Sequence, residues 1–188
     1  IARFKNYGRL AHLNPDELRP SGRIKADEFE KESRGDFALW KARDEQVGDY
    51  DRLWHLTMFG KAEIPITLAN LKPKPGDMLL EGGCGTGRMT PEFASRVNQL
   101  VSIDFSWESL RVCQQKLEKQ HVSNVHLAQA DLCHLPFRTG VFDRVVSCQV
   151  LEHIPSQKAR REAVEQLARV VREKGQFVLS AYQFSLVT

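Results

Sequence analysis

Glu81 and the glycines after it, Gly82, Gly83, Gly85 and Gly87, have the residue types and spacing that most directly suggest chemistry in this chain. They lie in the stretch LLEGGCGTGRMT, Leu79 to Thr90. Clustered glycines let a backbone approach a small ligand closely and turn in ways other residues resist. Three ligand loops compete for this pattern. A phosphate cradle of the form G-x-x-x-x-G-K-[ST] needs a lysine and a hydroxyl after its second glycine. Gly82 and Gly87 have that spacing, but Arg88 and Met89 stand where the lysine and hydroxyl belong. A dinucleotide loop, G-x-G-x-x-G, also fails, because the glycine after Gly83 and Gly85 arrives one residue early at Gly87. The series E-x-G-x-G-x-G is matched at every position by Glu81, Gly83, Gly85 and Gly87. The acid then discriminates between ligands. A carboxylate repels a nearby pyrophosphate and attracts a ligand that carries cationic groups and no phosphate. The helix expected after the loop offers free N–H groups and a positive end to a ligand carboxylate.

Downstream residues extend the site. Asp104 ends the apolar run VSID and is placed to accept both hydroxyls of a ribose; its alternative role is a helix cap shared with Ser106. Asp131, in AQADLCHLPF, is placed to accept from an adenine amino group, or else it is a turn aspartate. Phe105 and Leu132 flank these acids and either sandwich the base or fill the core. In FDRVVSCQVLEHI, Cys148 closes a strand. Glu152 and His153 follow at its carboxyl end, where parallel sheets bind their ligands. Both are candidates for a general base, and His153 has the better intrinsic pKa. The competing roles are a structural histidine at a helix start and a capping glutamate. Tyr50, Trp54 and His55 either line the substrate side or pack.

The elements that must hold these residues alternate in type. Met78–Leu80, Leu100–Ile103, Val125–Ala128, Arg144–Cys148 and QFVLSAY read as five short strands. Between them, Arg88–Val97 reads as a helix with Met89, Phe93 and Val97 inward. A second begins at the cap Ser106 and runs to about Lys119, with Leu110, Cys113 and Leu117 inward. A third spans 157–172 with a stripe of Val164, Leu167, Ala168 and Val171, stopped by Lys174-Gly175. Ahead of them, Leu53, Leu56, Phe59, Ile64, Leu68 and Leu71 recur at helical spacing up to the turn KPKPGD. Such alternation predicts a parallel sheet with helices on both faces.

At 188 residues the chain predicts one domain with an appendage: an N-terminal extension over 1–48, partly ordered, and a ligand-binding domain over 49–188. A net charge of +3, spread along the chain, is too small to argue for nucleic acid. No apolar run is long enough to span a membrane, and the N-terminus has no secretory pattern. Ile1 in place of Met implies a missing or processed start. Cys84, Cys113, Cys133 and Cys148 lack zinc-knuckle spacing and read as buried free thiols, so no metal and a cytoplasmic location are expected.

Taken in order, LLEGGCGTG, VSIDFS, QADLCHLPF and FDRVVSCQVLEHI resemble the motifs of class I methyltransferases that use S-adenosylmethionine (SAM), in the style of the ubiquinone- and menaquinone-type enzymes. The resemblance covers about residues 50–181. It implies a Rossmann-like α/β sheet with strands in the order 3-2-1-4-5. It also implies cofactor contacts from Glu81, Gly83, Gly85, Asp104, Asp131 and the backbone near Cys148. SAM has an ammonium and a sulfonium and no phosphate, as the loop requires. A small-molecule methyl acceptor is expected, because Ser147-Cys148-Gln149-Val150 replaces the D/N-P-P-Y motif of adenine and glutamine methyltransferases. The family's sixth and seventh strands are missing before Thr188. An exposed sheet edge is therefore expected, covered by a homodimer, and a catalytically inactive SAM-binding or regulatory module is the alternative function. The head, about residues 4–45 with DFALWK, resembles an internal segment of cysteinyl-tRNA synthetases without their nucleotide signatures or zinc ligands.

Overall fold

A computed structural model of the chain describes residues 3–4 and 58–181. The head, with Tyr50, Leu53, Trp54, His55 and Leu56, lies otherwise outside the described residues. The elements run β1 (Arg3–Phe4), α1 (Met58–Leu71), β2 (Met78–Gly82), α2 (Thr90–Ala94), β3 (Gln99–Asp104), α3 (Trp107–Lys119), β4 (Val125–Gln129), β5 (Phe142–Cys148), a 3-10 turn (Leu151–His153), α4 (Gln157–Val170) and β6 (Val171–Ser180).

The sheet order among the described residues is β1-β4-β3-β2-β5-β6. Pairing from β4 through β3, β2 and β5 to β6 is parallel throughout. In the numbering of the five expected strands this is 3-2-1-4-5, so the sequence reading of the sheet holds. Short runs such as Leu79-Leu80 and Val145-Val146 form its centre because each strand is covered on both faces. Alternate side chains go to opposite layers. Leu80, Val101, Ile103 and Val145 pack with Ala163, Leu167 and Val170 of α4. Leu79, Leu100 and Val146 pack with Leu71 of α1 and with Met89, Phe93 and Val97. These two layers fix the strand ends at which Glu81, Asp104 and Cys148 stand.

The structure departs from the sequence reading in several places. The helix after the glycine loop is shorter than expected, Thr90–Ala94, although Met89, Phe93 and Val97 are all buried as read. The buried stripe of α4 is Ala163, Leu167 and Val170, one residue before the expected phase; Ala168 is exposed and Val171 already belongs to β6. Lys174-Gly175 does not stop the helix. Lys174 (φ 66°) and Gly175 form an irregularity inside β6, where the register jumps from Phe142↔Val171 to Arg144↔Gln176. A side chain at 175 would stand 2.8 Å from the Asp143 carbonyl, so only glycine fits. The antiparallel pair of β1 with β4, Arg3↔Gln129 and Phe4↔Ala128, had no signal in a two-residue stretch. Cys84 and Cys113 are buried, but Cys133 and Cys148 are only partly so.

Candidate cofactor site

The glycine loop leaves β2 and folds back over β3. The N–H groups of Gly83 and Cys84 both donate to the Ile103 carbonyl, at 2.8 and 2.9 Å. Two glycines are demanded by their surroundings as well as by their backbone. Gly83 (φ 78°) leaves room for Val150, whose Cγ2 would be 2.3 Å from an added Cβ. Gly87 (φ 77°) does the same for Cys113, with Sγ at 2.4 Å. Gly85 (φ 54°) has open space where a side chain would be. Its N–H donates to Asp104 Oδ2 at 2.7 Å, while Asp104 Oδ1 accepts from the Ser106 N–H at 2.8 Å. One carboxylate thus joins the loop to the start of α3. Ser106 caps that helix as expected, its hydroxyl accepting from the Ser109 N–H at 3.0 Å.

Glu81 is a buried acid at 5% exposure. Its Oε2 accepts hydrogen bonds from Thr90 Oγ1 and Ser102 Oγ, each at 2.7 Å. Burial raises its pKa to about 7. The two hydroxyls oppose that rise, the Asp104 charge adds to it and the Arg88 charge offsets part of it. Arg88 forms an ion pair with Glu63 of α1. The Cys84 thiol is held well above its ordinary pKa by its hydrogen bond with Cys113 and by burial, so it stays protonated and is a poor nucleophile.

A cavity of about 270 Å³ crosses the carboxyl ends of the strands. From β2 and its loop come Glu81, Gly83, Cys84 and Gly85; from the end of β3 come Asp104, Phe105 and Ser106. Asp131 and Leu132 enter after β4, Cys148 ends β5, and His153 reaches the cavity from the 3-10 turn. Other expected residues fall elsewhere. Gly82 does not line the cavity; its missing side chain makes room for Leu132 and Leu167 in the core. Gly87 is likewise a packing position, against Cys113. Glu152 is partly buried and is not part of the cavity wall. Asp131 lines the cavity, and in the turn role read for it its Oδ1 accepts from the Cys133 N–H at 2.8 Å. Its Oδ2 lies 3.2 Å from His134 Nδ1.

The wall also contains residues that sequence reasoning passed over, among them Arg88, Gln149 and Val150. Gln149 has a left-handed backbone (φ 57°), and its Oε1 is buried with no hydrogen-bond partner among the described residues. In the sequence, Gln149-Val150 figured only as the absence of another motif. The available signal was its place just past a strand that ends at the ligand edge.

Among the described residues the groove wall carries acids at intervals and no lysine, and its arginine, Arg88, is paired with Glu63. The methyltransferase domain family matches residues 80–179. The chain belongs to that family. The cofactor that goes with the methyltransferase domain is S-adenosylmethionine, and a ligand with two cationic centres and a ribose fits a groove walled by Glu81, Asp104 and Asp131. The domain is 31% identical over 126 residues to a tRNA (carboxymethyluridine(34)-5-O)-methyltransferase of Arabidopsis thaliana, a match that covers 66% of this chain and 29% of that protein. A phosphoethanolamine N-methyltransferase of Haemonchus contortus, solved with S-adenosylhomocysteine, shares the fold: TM-score 0.56, 24% identity, 62% of this chain and 27% of that one. Separately, 61 residues are 52% identical to a cysteine–tRNA ligase of Chlamydia muridarum, covering 32% of this chain and 12% of the ligase. The chain therefore spans about a third or less of the length of these curated relatives.

Proposed function

We propose that the methyltransferase domain, residues 49–188 with 1–48 as a separate extension, takes part in methyl transfer from SAM to a small molecule. The observation that carries this reading is the convergence of Glu81, Asp104 and Asp131 on one cavity with the glycine loop. When bound, the cofactor supplies an electrophilic methyl group on a sulfonium. The protein's part is to orient the reactants and exclude water. Asp104, which lines the cavity and holds the loop and the start of α3 through its carboxylate, accepts from the ribose hydroxyls. Asp131 receives the adenine amino group, and Phe105 and Leu132 flank the ring. Glu81 balances the cofactor's ammonium. His153, at the methyl-acceptor end, accepts the proton released by an O–H or N–H nucleophile.

Among the described residues β6 is the last strand of the sheet, which supports pairing of its edge with a second copy. Among the described residues no helix is long and apolar enough to cross a membrane. The kinship with a tRNA methyltransferase supports a second reading, in which the acceptor is a tRNA nucleoside. Incubation with methyl-labelled SAM, using a panel of small hydroxyl and amine acceptors alongside bulk tRNA, separates the two. Label on a small acceptor is the expected result. Label on tRNA alone selects the second reading. SAM binding with no transfer to either identifies an inactive cofactor-binding module.

A further inference from the structure

Thr90, at the start of α2, and Ser102, in β3, are polar residues with no exposed surface. A buried hydroxyl needs a partner, and these two share one. Each stands 2.7 Å from the same carboxylate oxygen, Glu81 Oε2, and donates to it. The Cys113 thiol of α3 lies 4.0 Å from Thr90 Oγ1 and donates there, which leaves the Thr90 hydrogen for Glu81. Neither hydroxyl residue is part of the cavity wall, whereas Glu81 is. What the pair does for a ligand, it does through Glu81.

A carboxylate oxygen accepts about two hydrogen bonds. The two hydroxyls therefore fill Oε2, and Oε1 is the oxygen that remains for the cavity. They also bear on the proton. Hydrogen bonds to an ionised group are about twice as strong as those between neutral groups, so two donors favour the anion over the acid. Burial opposes them. Other groups face Glu81 from the elements around it. Asp104, at the end of β3, adds to the proton's hold, and Arg88, paired with Glu63 of α1, reduces it. The thiols of Cys84 in the loop and Cys148 at the end of β5 also face it. The bond to Cys113 and burial raise the first, and burial raises the second, so both stay neutral. Against this background the hydroxyls of Ser102 and Thr90 are the neutral groups that can be removed without changing any charge. We propose that Ser102 and Thr90 are positioning residues: they hold Glu81 by Oε2, leave Oε1 to the cofactor's ammonium, and so set the pH range in which that contact forms. This rests on the SAM reading of the site.

The test compares two adenosine thioethers by calorimetric titration of the full chain at pH 6 and pH 8. S-Adenosylhomocysteine carries the ammonium, and 5′-methylthioadenosine lacks it. Ser102→Ala and Thr90→Val each remove one donor, and Thr90→Ser keeps it. Wild-type affinity for S-adenosylhomocysteine should rise with pH through about 7, where Glu81 ionises. Losing one donor should move that rise up by about one pH unit. Ser102→Ala and Thr90→Val should therefore bind S-adenosylhomocysteine about tenfold more weakly at pH 6 and within about twofold at pH 8. Thr90→Ser should follow the wild type, and methylthioadenosine should stay within about twofold throughout. Hydroxyls that only support the fold would weaken both ligands, or would weaken S-adenosylhomocysteine equally at the two pH values. Either result overturns the assignment, as does no weakening at all. Wild-type protein that binds neither ligand overturns the SAM reading itself, and that result is distinct because it appears before any variant is compared.

Discussion

Glu81 makes the folded chain sensitive to pH in a direction opposite to that of most carboxylates. Its pKa rises from 4.5 to about 7 because burial penalises the charge more than the Thr90 and Ser102 hydroxyls support it. That difference, at about 1.4 kcal/mol per pH unit, amounts to about 3 kcal/mol. The folded form holds this proton more tightly than the unfolded form. The contribution to stability is therefore full below about pH 4.5 and is lost as pH rises through about 7. Glu81→Gln keeps an oxygen for both hydroxyls and removes the charge. Without cofactor, the variant should be more stable than wild type at pH 7.5, by up to about 3 kcal/mol, and the gap should close toward pH 4.5. Urea denaturation of both proteins across that range reads it directly. Cofactor binding should move the other way: the ammonium favours the ionised acid, so wild-type affinity rises from pH 5.5 to 7.5 and that of the variant stays flat or lower. Parallel stability curves for the two proteins would refute the claim that Glu81 ionises at a cost inside the fold.

Other expectations follow from the loop and its partners. Gly87→Ala forces a Cβ to within 2.4 Å of Cys113 Sγ at φ 77° and should destabilise the chain well beyond Gly85→Ala, where no atom lies within 4 Å and only backbone strain of about 1–2 kcal/mol applies; thermal denaturation of the pair checks the order. Asp104→Asn should weaken SAM by about 1–3 kcal/mol in a calorimetric titration, since it exchanges a charged acceptor that holds the loop, and on the proposed reading the ribose, for a neutral one. His153→Ala should slow methyl transfer by about 100-fold or more with SAM affinity kept, measured as kcat and Kd on the same preparation.

The sheet was legible in the sequence because burial on both faces writes short apolar runs, and the strand ends carried Glu81, Asp104 and Asp131 into view. The phase of α4 was not. Val164, Leu167 and Ala168 and the observed Ala163, Leu167 and Val170 fit the same helical period, and only packing against the sheet chooses between them. Lys174-Gly175 looked like a helix stop because a strand bulge and a helix end call for the same residues. Among the glycines, the motif fixed the loop but not the division of labour. Gly83 and Gly85 line the cavity, whereas Gly82 and Gly87 give space to Leu132, Leu167 and Cys113, side chains distant in sequence, as Gly83 also does to Val150. Gln149 was missed for a similar reason: an unmet acceptor is a property of three-dimensional surroundings and leaves no spacing to read.

On the proposed reading Glu81 selects a cationic, phosphate-free cofactor. Titration of the full chain with SAM and with NAD, for wild type and Glu81→Ala, tests that choice most directly. Saturable binding of SAM, none of NAD, and a loss of SAM affinity in the variant are the predicted results. Binding of NAD without SAM, or SAM affinity indifferent to Glu81, would contradict it.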